Sequence, residues 1–236
     1  MSQQENLTIS DDLIQNAYHV LKSVGEKRKE EKKQQLIDDE KIIELTIKYD
    51  LEGEKKSTPR IVELKHSLFS AEDGDSAILL LSRDDKTTKP YLEEHPIPGL
   101  SKVTSMDKVR ETFATYEQKR NLLRSYSRFL CDQAISPMMG SILGKKCYEW
   151  NKLPFPVNIG GKETLEKRIQ SALSSTMYLV NCSTTLSIKV GKESFTDEQI
   201  IDNVHAVLAS VYKNIPVKNI LSISFSVVYF VYNYYL

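Results

Sequence analysis

The chain has 236 residues, 40% of them hydrophobic and 27% charged, with a mean hydropathy of −0.37. That size and balance can bury a core, which excludes the disordered, fibrous and disulfide-stapled classes. Lys and Arg (32) balance Asp and Glu (32), so net charge points to no polyanionic partner and any basic surface must be local.

Cys131, Cys147 and Cys182 are widely spaced, without a Cys-x-x-Cys pair. They predict neither a disulfide framework nor a zinc site. The opening MSQQENLTISDD lacks the basic and apolar regions of a signal peptide, so an intracellular, reducing compartment is expected.

In chain order, residues 10–36 are expected to form a helix capped by Ser10 or Asp11. Leu13, Ala17, Val20, Leu21 and Val24 would be its inward stripe. The run EKRKEEKKQQ at 26–35 reads as a solvated, mixed-charge helix end, with contact to RNA phosphates as the alternative. Residues 41–50 (KIIELTIKYD) read as a strand, 53–59 as a loop, 60–69 as a second extended segment and 71–75 as an acidic turn. SAILLLS at 76–82 is continuously apolar, the mark of a strand buried on both faces of a parallel sheet.

The stretch 84–100, rich in proline and charge, reads as a loop with at most one short helical turn. A strand at 102–106, one amphipathic helix at 106–126 and a strand at 127–132 follow. A helix over 135–146 then opens near Pro137 and closes at Gly144. This alternation predicts a doubly wound α/β unit. KLPFPVNIGG at 152–161 reads as a linker, 163–176 as a helix and 177–191 as a long strand or hairpin arm. Residues 195–215 form a helix with Thr196 as N-cap, and 220–225 alternate as a strand. The aromatic, uncharged stretch 226–236 is expected as a core strand, with a sticky, aggregation-prone tail as the alternative, being far shorter than the roughly 20 residues that span a bilayer.

Enzyme chemistry finds no constellation. His19, His66, His95 and His205 have no metal-ligand spacing, and neither Gly160-Gly161-Lys162 nor ILGKK at 142–146 completes a phosphate-binding loop. No catalytic residue, metal or cofactor is expected. Locally, residues 101–150 carry nine basic against five acidic side chains, interleaved with Tyr116, Tyr126 and Tyr148. That pattern suits a phosphate-facing surface and suits an ordinary basic helix face as well.

Two blocks carry a resemblance. FLCDQAISPMMGSILGKKCYEWNKLPFPV (129–157) has a strand ending in Asp132, then Ser136-Pro137 leading to Leu143-Gly144-Lys145 and a proline-rich return. IKVGKESFTDEQIIDNVHAVL (188–208) has Val190-Gly191-Lys192-x-Ser194-Phe195, then Asp197-Glu198 and the core Ile200-x-x-Asn203-Val204-x-Ala206. In order and spacing these resemble the signatures of the ribosomal protein L1 family.

The resemblance implies an α/β fold of two domains. An α+β base domain from 1–68 and 160–236 would bind RNA, and a Rossmann-like three-layer α/β domain, 69–159, would be inserted into it. RNA contacts are implied for Lys41, Lys189, Lys192 and Ser194 of the base, with backbone contacts from Lys145 and Lys146 of the insert. Two places depart from the family pattern. Ser226-Val227-Val228-Tyr229-Phe230 replaces a Thr-Met-Gly turn, and Asp38-Asp39-Glu40-Lys41 replaces an aromatic-bearing entry to the first strand.

LPFPV and RIVELKHSLF resemble the eukaryotic L1-domain ribosome-biogenesis branch. The implied role is a non-enzymatic factor of nucleolar or nuclear pre-ribosomal particles, a monomer within a ribonucleoprotein. Its expected partners are ribosomal RNA precursor and assembly proteins, with no membrane and no small-molecule substrate. The alternatives are the structural protein of the large-subunit stalk, on the cytoplasmic ribosome, and a protein-interaction module of the same fold without RNA binding.

Overall fold

A computed structural model describes residues 9–31, 42–50, 58–69, 77–83, 85–160, 164–180 and 184–228. Lys41, Cys182, the acidic turn at 71–75 and the aromatic residues after Val228 lie outside the described residues. The chain divides into two compact units, Met1–Leu68 with Ser174–Leu236, and Phe69–Leu173.

The first unit is built on an antiparallel sheet in the order β8–β1–β9, with β1 (Ile42–Tyr49) between β8 (Thr185–Lys192) and β9 (Ile220–Val228). Strict alternation along β1 sends Ile43, Leu45, Ile47 and Tyr49 to one side, each at most 2% exposed. That side is covered by α8 (Asp197–Asn214) and α1 (Asp11–Glu31), which also touch each other. α8 starts at the expected cap: Thr196 Oγ1 accepts from Gln199 N, and Gln199 Oε1 accepts from Thr196 N, a reciprocal capping box. A second, two-stranded antiparallel sheet joins β2 (Thr58–Glu63) to β7 (Ser175–Val180).

α1 corrects the expected stripe. Ile14 and Tyr18, at i and i+4, are the buried pair, while Leu13, Val20 and Val24 are exposed. The Tyr18 hydroxyl reaches the carbonyl of Phe195, and this anchor sets the rotation of the helix. The polar partners agree with that rotation: His19 pairs with Asp197 at 3.0 Å and His205 with Asp11 at 2.7 Å.

The second unit is a four-stranded, wholly parallel sheet in the order β4–β3–β5–β6. β3 (Ile78–Ser82) is buried at every position, as its unbroken apolar run requires. It lies between β4 (Leu100–Ser105) and β5 (Arg128–Asp132), with β6 (Phe155–Val157) at the edge. The core joins Leu79, Leu81, Phe129 and Cys131 of the sheet to the surrounding helices.

Three expectations fail in this unit. Residues 84–100 contain a helix, α2 (Asp85–Glu94), which carries Pro90 inside it. Burial of Thr88 and Leu92, and a 3.1 Å bond between the Ser82 and Thr88 hydroxyls, override the local composition. The single helix at 106–126 is two helices, α3 (Met106–Thr112) and α4 (Tyr116–Ser125). Thr115 breaks it by forming a capping box with Gln118.

The supposed linker supplies β6, where Pro156 sits opposite Cys131 on an edge strand, a place that tolerates a missing N–H. The second compact unit runs on to Leu173, because α7 (Leu165–Leu173) packs on β6.

Two buried cations tie this unit together. The Arg128 guanidinium lies between the rings of Phe69 and Phe155, 4.7 and 4.8 Å from their centroids, and Nη1 donates to Leu173 O at 3.4 Å. Burial lowers its pKa to about 9, so it stays charged at neutral pH. Lys152 Nζ donates to Leu123 O and Tyr126 O, at 2.7 and 3.0 Å, at the carboxyl end of α4.

Candidate nucleic-acid interface

The side of the first unit's sheet that turns away from α8 is polar. Opposed residues of antiparallel strands share a face, so Glu44, Thr46 and Lys48 of β1 stand in one layer with their partners. Those partners are Lys189, Ser187 and Thr185 on β8, and Ser226, Ser224 and Ser222 on β9. The hydroxyls are ordered among themselves. Thr46 Oγ1 and Ser226 Oγ are 2.9 Å apart, Ser224 Oγ donates to Thr46 O at 3.4 Å, and Ser226 Oγ donates to Glu44 O at 3.5 Å.

A β-bulge adds Lys192 to this layer. Ile43 pairs with Gly191 and Glu44 with Lys189, leaving Val190 as the extra residue. Val190 is fully buried, and a Cβ on Gly191 would overlap Ile200 Cδ1 of α8. Both residues therefore face the helix, and Lys189 and Lys192, three apart, come to the same outer side. Asn203, fully buried on α8, holds the bulge in place. Its Nδ2 donates to Val190 O at 2.9 Å and to His66 O at 3.0 Å, and its Oδ1 accepts from His66 N at 3.0 Å.

Of the residues singled out from sequence, the structure gathers Lys189, Lys192 and, in the exposed turn after β8, Ser194. Lys145 and Lys146 belong to the second unit, at the start of the short helix α6 (Lys146–Glu149) that follows α5 (Ser136–Leu143). Lys145 is exposed, and Lys146 Nζ bonds Glu149 Oε2. Sequence reasoning missed Thr46 and the serines of β9. The signal was there in Ser222-x-Ser224-x-Ser226, a period-two row of hydroxyls on a strand.

Ammonium groups and hydroxyls are the donors that engage phosphate and ribose oxygens. Elsewhere, burial pushes the thiols of Cys131 and Cys147 up to about 12 and about 11, so neither is a nucleophile at neutral pH. Among the described residues no group of three or more His, Cys, Asp or Glu could hold a metal ion, and no helix is long and apolar enough to cross a membrane.

Residues 21–228 match the family described as Ribosomal protein L1p/L10e. The chain belongs to this family. A Schizosaccharomyces pombe protein named for ribosome biogenesis is 30% identical over 72% of this chain and 46% of its own length. Ribosomal L1 domain-containing protein 1 of Mus musculus is 27% identical over 66% of this chain and 36% of its own. The large ribosomal subunit protein uL1 of Cenarchaeum symbiosum is 28% identical over 48% of this chain and 52% of its own.

This chain thus spans about half, or less, of these relatives. L1-family proteins are a non-enzymatic kind of protein, and the mixed α/β architecture with its parallel sheet is consistent with the family's two-domain fold.

Proposed function

We propose that this L1-family chain is a non-enzymatic ribosome-assembly factor that binds precursor ribosomal RNA within pre-ribosomal particles of the nucleolus. The observation that carries the reading is the outer face of the β8–β1–β9 sheet, where Lys189 and Lys192 are aligned by the bulge beside a row of hydroxyls. Ser194 extends that contact, Lys41 is a further RNA contact implied by the family resemblance, and Lys145 and Lys146 add backbone contacts from the second unit. The cations hold phosphates and position the chain, and the hydroxyls of Thr46 and Ser222–Ser226 meet ribose and phosphate oxygens. The chain acts as a monomer inside the particle, beside other assembly proteins.

The eukaryotic relatives named for ribosome biogenesis support this role. The match to archaeal uL1 favours a second reading, the stalk protein of the mature large subunit. Sedimentation of tagged chain from a nuclear extract, with fractions probed for precursor and mature ribosomal RNA, separates the two. Co-migration with precursor particles that is lost at high salt is expected. Migration with mature subunits and polysomes establishes the second reading, and migration at the top, free of RNA, refutes both.

A further inference from the structure

The proposed function takes only backbone contacts from Lys145 and Lys146 of the second unit, and the charged face around them offers more. On α4, Tyr116, Arg120 and Arg124 follow at four-residue steps and so line one flank of the helix. The other flank sends Leu122 and Leu123 into the core with Ile142, Leu143 and Cys147.

This core brings the α5–α6 turn alongside α4. The Lys119 stem passes the bare Cα of Gly144, with Cδ 4.0 Å from where a Cβ would stand, and Gly144 makes the turn at φ +82°. The next residue, Lys145, is exposed. The Arg124 guanidinium lies 5.7 Å from the centroid of Trp150, and the bonds from Lys152 to Leu123 O and Tyr126 O fix the end of α4 against the same segment.

Segments 116–125 and 143–150 hold five cations, with Glu117 and Glu149 as their carboxylates, in a chain of zero net charge. Lys146 engages Glu149. Tyr116, at the head of the flank, is 82% exposed.

We propose that this α4/α5–α6 face is a second RNA-binding surface, which takes single-stranded RNA with its phosphates on Arg120, Arg124 and Lys145 and an unpaired base stacked on Tyr116. An exposed ring beside a row of cations is a stacking platform for a base. An acidic peptide would use the cations and leave the ring idle. The surface lies wholly within the second unit, so it stands or falls separately from the sheet face.

The test is fluorescence anisotropy of a labelled 20-nucleotide oligouridylate on the full chain and its variants. Arg120→Glu with Lys145→Glu weakens binding at least tenfold. It also flattens the slope of log K against log salt by about 1.4, from two phosphates at about 0.7 each. Tyr116→Ala weakens binding about fivefold or more and leaves the slope unchanged. In a Lys189→Ala, Lys192→Ala background the same losses appear.

These side chains are exposed, so unchanged circular dichroism and Tm accompany the losses. Binding that is absent in the wild type, or is indifferent to Arg120→Glu with Lys145→Glu, overturns the proposal. Displacement of the RNA by polyglutamate at equal affinity overturns it in favour of an acidic protein segment. The sheet-face reading fails by a different sign: a Lys189→Ala, Lys192→Ala chain that keeps full affinity for precursor ribosomal RNA.

Discussion

The two sheets of this protein solve the same problem in opposite ways. β3, in the middle of the parallel sheet, is buried on both faces and every residue of it serves the core. β1, in the middle of the antiparallel sheet, buries one face under α1 and α8, while on the other Lys48 is exposed, Thr46 half-buried and Glu44 buried. A parallel sheet wrapped by its crossover helices leaves polar chemistry only to its helices and strand ends. An antiparallel sheet covered on one side can keep polar residues on the other. The difference explains why RNA binding is read from the sheet surface in one unit and from a helix flank in the other.

That contrast can be broken by mutation. The largest effect is expected at Leu80, the fully buried centre of β3. Leu80→Ala should cost about 2–5 kcal/mol by denaturant unfolding, whereas Thr46→Ala, at the centre of β1, should cost under about 1 kcal/mol. Equal losses would mean that the outer face of β1 is a core.

Asn203→Ala comes next. It strands the buried Val190 carbonyl and the half-buried His66 carbonyl and amide, and a loss of about 3 kcal/mol is expected. Gly191→Ala drives a Cβ onto Ile200 and should cost about 1–3 kcal/mol. Preserved stability in both variants would show that the bulge does not depend on α8.

The smallest effect is electrostatic. The Lys65 ammonium, 2.6 Å away, and then His66 hold the Asp202 carboxyl below its ordinary value. A carboxyl whose folded pKa is depressed contributes stability above its unfolded pKa and loses it as pH falls through the folded one. The Tm gap between wild type and Asp202→Asn should therefore be full at pH 5 and shrink as pH falls below about 4. A gap that is flat with pH would remove the ion pair from the account.

The sequence made the long elements and the parallel sheet legible because their signals are local. The apolar run of β3 and the capping box of α8 each announce themselves within a few residues. What it hid was decided by contacts made across the chain. The inward face of α1 is chosen by a tyrosine hydroxyl reaching Phe195, and α2 forms around Pro90 because Thr88 and Leu92 find a core. β6 is a strand because β5 waits beside it.

The candidate site divides in the same way. Lys189, Lys192 and Ser194 came from a motif resemblance. That the two lysines share a face depends on a one-residue bulge, which alternation alone would have read the other way.

The most direct test is ultraviolet crosslinking of the chain in purified pre-ribosomal particles, with the crosslinked residues located by mass spectrometry. Crosslinks to precursor ribosomal RNA within 42–48, 185–194 and 220–226 are predicted. A crosslinked particle with none on these three strands would contradict the sheet-face account.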